Sequence, residues 1–258
     1  METVEFIRIL DHQGRSLAAA AGEAGSGAEV PTCPDWRVRD LLRHTGMVHR
    51  WATSFVAEGR TVPHSGDGLP DLDGGELLDW FRTGHRRLVD KLASAPADVE
   101  CWHFLPAPSP LAFWARRQAH ETAVHRVDAE SARGAAPEEI AAAFPRDFAA
   151  DGIDELLCGF HARAKSKVRT EKPRVLRVRA TDADTGADAD ADADDAVWTV
   201  RLSAGPPVTE RGSEGEADCE LSGPASLLYL SLWNRLPYPA VSGDVSLARL
   251  WREKSAVI

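Results

Sequence analysis

The stretch His120-Glu121-Thr122-Ala123-Val124-His125-Arg126-Val127-Asp128 decides how this chain is read. It lies inside a strongly helical segment, so Glu121 and His125, four residues apart, stack on one helix face. A carboxylate and an imidazole on adjacent turns form a ready pair of metal ligands. The stretch resembles the zinc-protease signature, but that signature needs two histidines four apart with a glutamate between them. Here His120 and His125 are five apart, about 140° from each other around a helix of 3.6 residues per turn. The usable pair is Glu121 with His125, and a third ligand must come from another element.

His44 is the best candidate for that ligand. It belongs to the series Leu41, His44, Val48, Trp51, Phe55 on the second helix, where every other member is apolar. A histidine on such a stripe needs a polar partner, and a hydrogen-bonded core histidine is the plain alternative. Two histidines and one carboxylate with an open fourth position is the pattern of catalytic zinc. The same donors also suit nickel, iron or manganese. His49 and His120 are read as surface or supporting residues. Asp128 shares the face of Glu121 and His125. It can orient His125 through the ring nitrogen that does not face the metal, or pair with Arg126 or Arg50.

Outward from this centre the chain reads as helices joined by loops. The first runs from Thr3 to about Ala21. Asp35 is expected to cap a second from Trp36 to about Glu58. Asp73 and Glu76 suggest a capping box for a third, ending near Pro96. Ser109-Pro110 opens the fourth, which ends around Gly134. A fifth amphipathic segment spans roughly 144–167. After Lys172 the pattern changes. Residues 174–180 and 196–202 alternate as strands do, and Asp218-Cys219-Glu220-Leu221 reads as another short strand. Ser222-Gly223-Pro224 opens an apolar helix through Trp233, and Asp244 caps a last helix ending near Lys254. The expected division is a helical bundle over 1–168 and a smaller α+β domain over 169–258.

Composition narrows the function classes. The chain has 258 residues and a formal net charge of −10. Seven aspartates fall within residues 181–195, and without them the balance is −3. The Ala-Asp repeat there reads as a mobile acidic hairpin loop. No basic stripe points to nucleic acid, and no apolar run points to a membrane span. The N-terminus lacks a signal-peptide pattern, so cytoplasmic residence is expected. Cys33, Cys101, Cys158 and Cys219 are too dispersed for a disulfide framework or zinc ribbon.

Three segments carry a resemblance. Cys33-Pro34-Asp35-Trp36-Arg37-Val38-Arg39-Asp40-Leu41-Leu42-Arg43-His44 and the His120–Asp128 stretch resemble the two N-terminal signatures of the mycothiol-dependent maleylpyruvate isomerase family. Leu221-Ser222-Gly223-Pro224, Leu232-Trp233-Asn234-Arg235 and Gly243-Asp244 resemble its C-terminal domain. The resemblance implies a DinB-like four-helix bundle holding a divalent metal, usually zinc, at His44, Glu121 and His125. It also implies a sterol-carrier-like α+β domain that closes over the metal cleft. The family's functional arginine falls at Arg235, preceded here by Asn234 where a glycine is expected.

The function so implied is that of a transferase or isomerase using a low-molecular-weight thiol, mycothiol, with a small electrophile as the other partner. The metal-bound thiolate attacks the electrophile. Addition, bond rotation and elimination would isomerise a maleyl-type substrate, whereas a retained thioether would make the enzyme an S-transferase. S-transfer is preferred here because isomerisation of one ring-cleavage product is a narrow task. The alternatives are a metal-dependent hydrolase activating water and a non-catalytic module for a small ligand. A monomer or small homo-oligomer is expected.

Overall fold

The computed structural model describes residues 1–66, 68–182 and 196–256. The Ala-Asp repeat read as a hairpin loop lies outside them. The described chain forms two compact units, Met1–Ile140 and Ala141–Ile258.

Four long helices build the first unit: α1 (Thr3–Ala24), α2 (Val38–Glu58), α3 (Gly74–Ser94) and α4 (Pro110–Ala132). Helix α1 packs on α4 and α3, and α2 packs on α3 and α4, which closes a four-helix bundle. Local chemistry sets the starts. The Ser109 hydroxyl accepts from the Ala112 N–H at 3.1 Å, with Pro110 in the first turn. Asp73 caps α3 by accepting from the Gly74 N–H at 2.8 Å.

Helix α2 departs from expectation. Asp35 is not its cap: it sits in the left-handed region at φ 75°. The helix begins after Arg37, whose N–H donates to the Asp40 carboxylate at 2.9 Å. Its fully buried face carries Val38, Leu42, Thr45, His49, Ala52 and Val56. Along the neighbouring stripe Leu41 and Phe55 are buried, but His44, Val48 and Trp51 are only half-buried.

Helix α4 is enclosed on almost every side. Phe113, Trp114, Ala119, Ala123 and Val127 are buried, and so are Gln118, His120, Thr122, His125 and Asp128. A helix so enclosed shows no amphipathic stripe, and each polar side chain on it needs a partner inside the protein.

The second unit holds a five-stranded sheet in the order β3-β2-β1-β4-β5. Its strands are β1 (Arg174–Ala180), β2 (Val197–Leu202), β3 (Val208–Arg211), β4 (Cys219–Gly223) and β5 (Ala240–Gly243). Strands β1 and β4 are parallel and the other neighbours antiparallel. After α5 (Pro137–Ala141), which spans the sequence boundary between the units, the helices are α6 (Arg146–Asp154), α7 (Ala225–Leu232) and α8 (Val245–Lys254). A π-helical turn, Glu155–Phe160, continues α6. The expected fifth helix is therefore broken into short pieces. The sequence-based division falls after this segment at 168, whereas the compact units divide before it. Phe144 and Phe148 pack edge-on against Tyr229 of α7, each with ring centroids 6.1 Å apart.

Strands β3 and β5 escape the sequence reading. They are four-residue edge strands, with β5 exposed throughout, so neither carries an alternating pattern. Gly243 ends β5 at φ 80°, where an added Cβ would lie 2.3 Å from the Asp218 carbonyl oxygen. Asp244 then caps α8 by accepting from the Ser246 N–H at 2.9 Å. No helix among the described residues is long and apolar enough to cross a membrane.

His161 supplies a pH test of this unit. It is buried against Trp251, and its Nδ1 lies 2.9 Å from the Ser166 hydroxyl. Burial lowers its pKa from 6.5 to about 4, against a hydrogen bond to the Ser255 backbone that acts the other way. The neutral form is favoured in the fold, so the stabilisation is complete above pH 6.5 and is lost as pH falls towards 4. The loss should reach about 3 kcal/mol. Urea unfolding of the full chain should show it, and His161→Gln should flatten the profile. Identical pH dependence in the two proteins would refute the assignment.

Candidate metal centre

Helices α2 and α4 bring the three expected ligands together. One donor atom from each of His44, Glu121 and His125 lies within 4.8 Å of the other two. His44 Nε2 is 3.2 Å, and His125 Nε2 3.3 Å, from the same Glu121 oxygen, Oε1. The i,i+4 spacing on α4 supplies two donors, and the packing of α2 against α4 supplies the third.

The surroundings support each donor. His125 turns Nδ1 to the Asp128 carboxylate at 2.8 Å, leaving Nε2 for the centre. Arg117, one helical turn before Glu121 and almost fully buried, donates to Glu121 Oε2 at 3.1 Å. Trp36 stacks on His125, with centroids 6.0 Å apart and planes 17° apart. Its ring also lies 5.1 Å from that of His44. The His44 side chain is 35% exposed and that of Glu121 20%, so the centre opens to solvent on the His44 side. A purely structural site is ordinarily closed.

The electrostatics favour a cation. Burial would raise the Glu121 pKa, but hydrogen bonds from His125 and His44 overcome it and hold the carboxyl well below its usual range. Burial would lower the His125 pKa, but hydrogen bonds to Asp128 and Glu121 raise it to about 9. Two carboxylates, Glu121 and Asp128, thus sustain positive charge on the His125 ring. Two imidazoles and one carboxylate in this arrangement fit a divalent ion of the zinc type.

The other expectations have mixed outcomes. His49 and His120 are fully buried rather than at the surface. His49 Nε2 contacts the Thr122 hydroxyl at 2.9 Å, and the ring packs near Phe81 and His85. Burial holds its pKa well below the ordinary value. Arg235 belongs to the second unit, where it lines a depression of about 580 Å³ with Leu236, Pro237, Tyr238, Val241 and Arg252. Its guanidinium donates to the Trp233 carbonyl at 2.8 Å. Asn234 takes the left-handed conformation expected of a glycine, φ 63°, and its amide donates to the Arg252 carbonyl at 3.1 Å. Sequence reasoning missed Arg117 and the contact of Trp36 with both histidines. The i,i+4 spacing of Arg117 and Glu121 could have revealed the first; no local signal reveals the second.

Fold and site together define a class: a four-helix bundle with a two-histidine, one-glutamate constellation, followed by an α+β unit on a five-stranded sheet. Residues 7–130 match the mycothiol maleylpyruvate isomerase N-terminal domain. Residues 147–250 match the C-terminal domain of the same family. The chain belongs to the mycothiol-dependent maleylpyruvate isomerase family and is an enzyme of that kind. Two solved structures of the mycothiol-dependent maleylpyruvate isomerase, one a histidine-to-alanine mutant, each align with a TM-score of 0.58 at 13% identity. Each alignment covers 89% of this chain and 88% of the other, a likeness of fold. No curated protein matches the sequence.

The geometry separates the histidines experimentally. His44→Ala or His125→Ala should abolish stoichiometric uptake of a divalent ion, read by elemental analysis of the purified protein. His49→Ala should retain the metal but cost about 2–4 kcal/mol of stability, because it empties a buried polar site. Metal loss in the His49 variant with retention in the His44 variant would reverse the assignment.

Proposed function

We propose that this chain is a divalent-metal-dependent enzyme that uses a low-molecular-weight thiol, mycothiol, against a small electrophile. The observation that carries the reading is the convergence of His44, Glu121 and His125 at a solvent-facing point between α2 and α4. The metal, zinc by the donor set, would supply a lowered thiol pKa and hence a thiolate near neutral pH. The protein's own part is to hold three donors in fixed register, to engage the second oxygen of Glu121 with Arg117, and to flank the histidines with the Trp36 indole.

The family membership favours isomerisation over the S-transfer preferred from sequence. The thiol sulfur would add to an activated double bond, rotation would follow, and elimination would return the thiol unchanged. A stable thioether product would mark S-transfer instead. Arg235 is proposed to bind a carboxylate of substrate or thiol; its planar guanidinium suits bidentate contact. Cys33, Cys101, Cys158 and Cys219, none of them in a disulfide, fit a reducing, cytoplasmic setting.

Turnover should require both the metal and a thiol. With mycothiol and a maleyl-type dicarboxylate, the product should be the geometric isomer with thiol recovered intact. Hydrolysis of an ester or amide without thiol, at a comparable rate, would overturn the reading in favour of a metal hydrolase. Arg235→Met should raise KM for a carboxylate-bearing substrate about tenfold or more with metal content unchanged. An unchanged KM and kcat would remove Arg235 from the site.

A further inference from the structure

Asp128 is fully buried, lies one turn beyond His125 on α4, and is not one of the three converging ligands. Both of its carboxylate oxygens are engaged. Oδ2 lies 2.8 Å from His125 Nδ1 and accepts from the Cys33 thiol at 3.4 Å. Oδ1 accepts from the Thr32 hydroxyl at 2.6 Å. The Ser131 hydroxyl lies 3.1 Å from that of Thr32 and donates to the Asp128 carbonyl at 2.8 Å. The two arginines weighed as alternative partners make contacts of their own. Arg126 donates to Gln13 and pairs with Glu130, and Arg50 donates to the Trp80 carbonyl while lying over the Trp80 ring.

We infer that Asp128 is the positioning residue of the metal centre, tying His125 and the Thr32–Trp36 loop to one buried carboxylate. The inference rests on the metal-centre reading above. Asp128 accepts the Nδ1 proton of His125, so the metal-facing nitrogen is Nε2 and the ring plane is fixed. The same carboxylate anchors Thr32 and Cys33, four and three residues before Trp36, whose ring packs on both histidines. One acceptor thus sets a ligand on α4 from one side and the aromatic flank preceding α2 from the other. A buried carboxylate is costly unless each oxygen finds a donor, and here both do.

The test compares the wild-type chain with Asp128→Ala, Asp128→Asn and Thr32→Val. Zinc affinity is measured by competition with a chromophoric chelator. The cobalt(II)-loaded proteins are compared by visible absorption, which reports ligand geometry. Asp128→Ala should weaken zinc binding about 10–100-fold and change the cobalt spectrum. Asp128→Asn, which keeps the shape and one acceptor oxygen, should recover part of the loss. Thr32→Val should show a smaller loss in the same direction. A residue that merely stabilises the fold would change the unfolding temperature and leave affinity and spectrum alone. That outcome in Asp128→Ala overturns the inference. If Asp128→Ala does not fold, wild-type affinity and spectrum in both Asp128→Asn and Thr32→Val overturn it equally. A wild-type chain that takes up neither zinc nor cobalt overturns the metal reading itself, and this inference with it.

Discussion

Two imidazoles aimed at one carboxylate oxygen are the constraint on which the first unit depends. Glu121 Oε1 stands 3.2 Å from His44 Nε2 and 3.3 Å from His125 Nε2, and those nitrogens come from different helices. The arrangement exists only while α2 and α4 hold one register. A half-turn rotation of either helix would leave a charged group facing hydrocarbon, which costs several kcal/mol. The apolar core holds that register, with Leu41 and Phe55 on α2 and Trp114, Ala119 and Ala123 on α4 all buried. The core serves the site, and the site in turn penalises any slippage of the core.

Enclosure of α4 explains why polar residues gather there. A helix that meets protein on nearly all sides can carry His120, Thr122, His125 and Asp128 only if each finds a partner inside. His49 answers Thr122, and Thr32 and Cys33 answer Asp128. Such networks contribute less stability than well-packed hydrocarbon of the same volume, but they fix ligand orientation, which a reactive centre requires. The exposed edge of His44 completes the logic. A ligand on the neighbouring face, where His49 lies, would be sealed from any substrate.

The second unit shows how a change of residue can preserve a backbone. Asn234 stands where the family resemblance leads one to expect glycine, yet it adopts φ 63°, a conformation asparagine tolerates better than most residues. Its side-chain amide then donates to the Arg252 carbonyl and lies 3.3 Å from the Ser255 hydroxyl. The turn before Arg235 is thereby bound to the end of α8, a tie that glycine could not make.

Sequence alone determined that Glu121 and His125 share one helix face, and the helix boundaries that rest on local chemistry. Helical geometry pairs Glu121 with His125 and rejects His120. Side-chain capping at Asp73, Ser109 and Asp244 is legible because a cap bonds within its own first turn. The alternation of 174–180 is legible for the same reason, and the apolar stripe on α2 pointed to His44. That stripe borders the buried face rather than forming it, and this is why His44 can serve an accessible site. Only the tertiary structure decided that His49 is enclosed, that Asp128 turns to His125, that Trp36 flanks both histidines, and that β3 and β5 join the sheet as edges. Periodicity records which residues share a face; what covers that face depends on chain segments far away in sequence. Thr32 meets Asp128 across 96 residues, a distance over which no local pattern carries information.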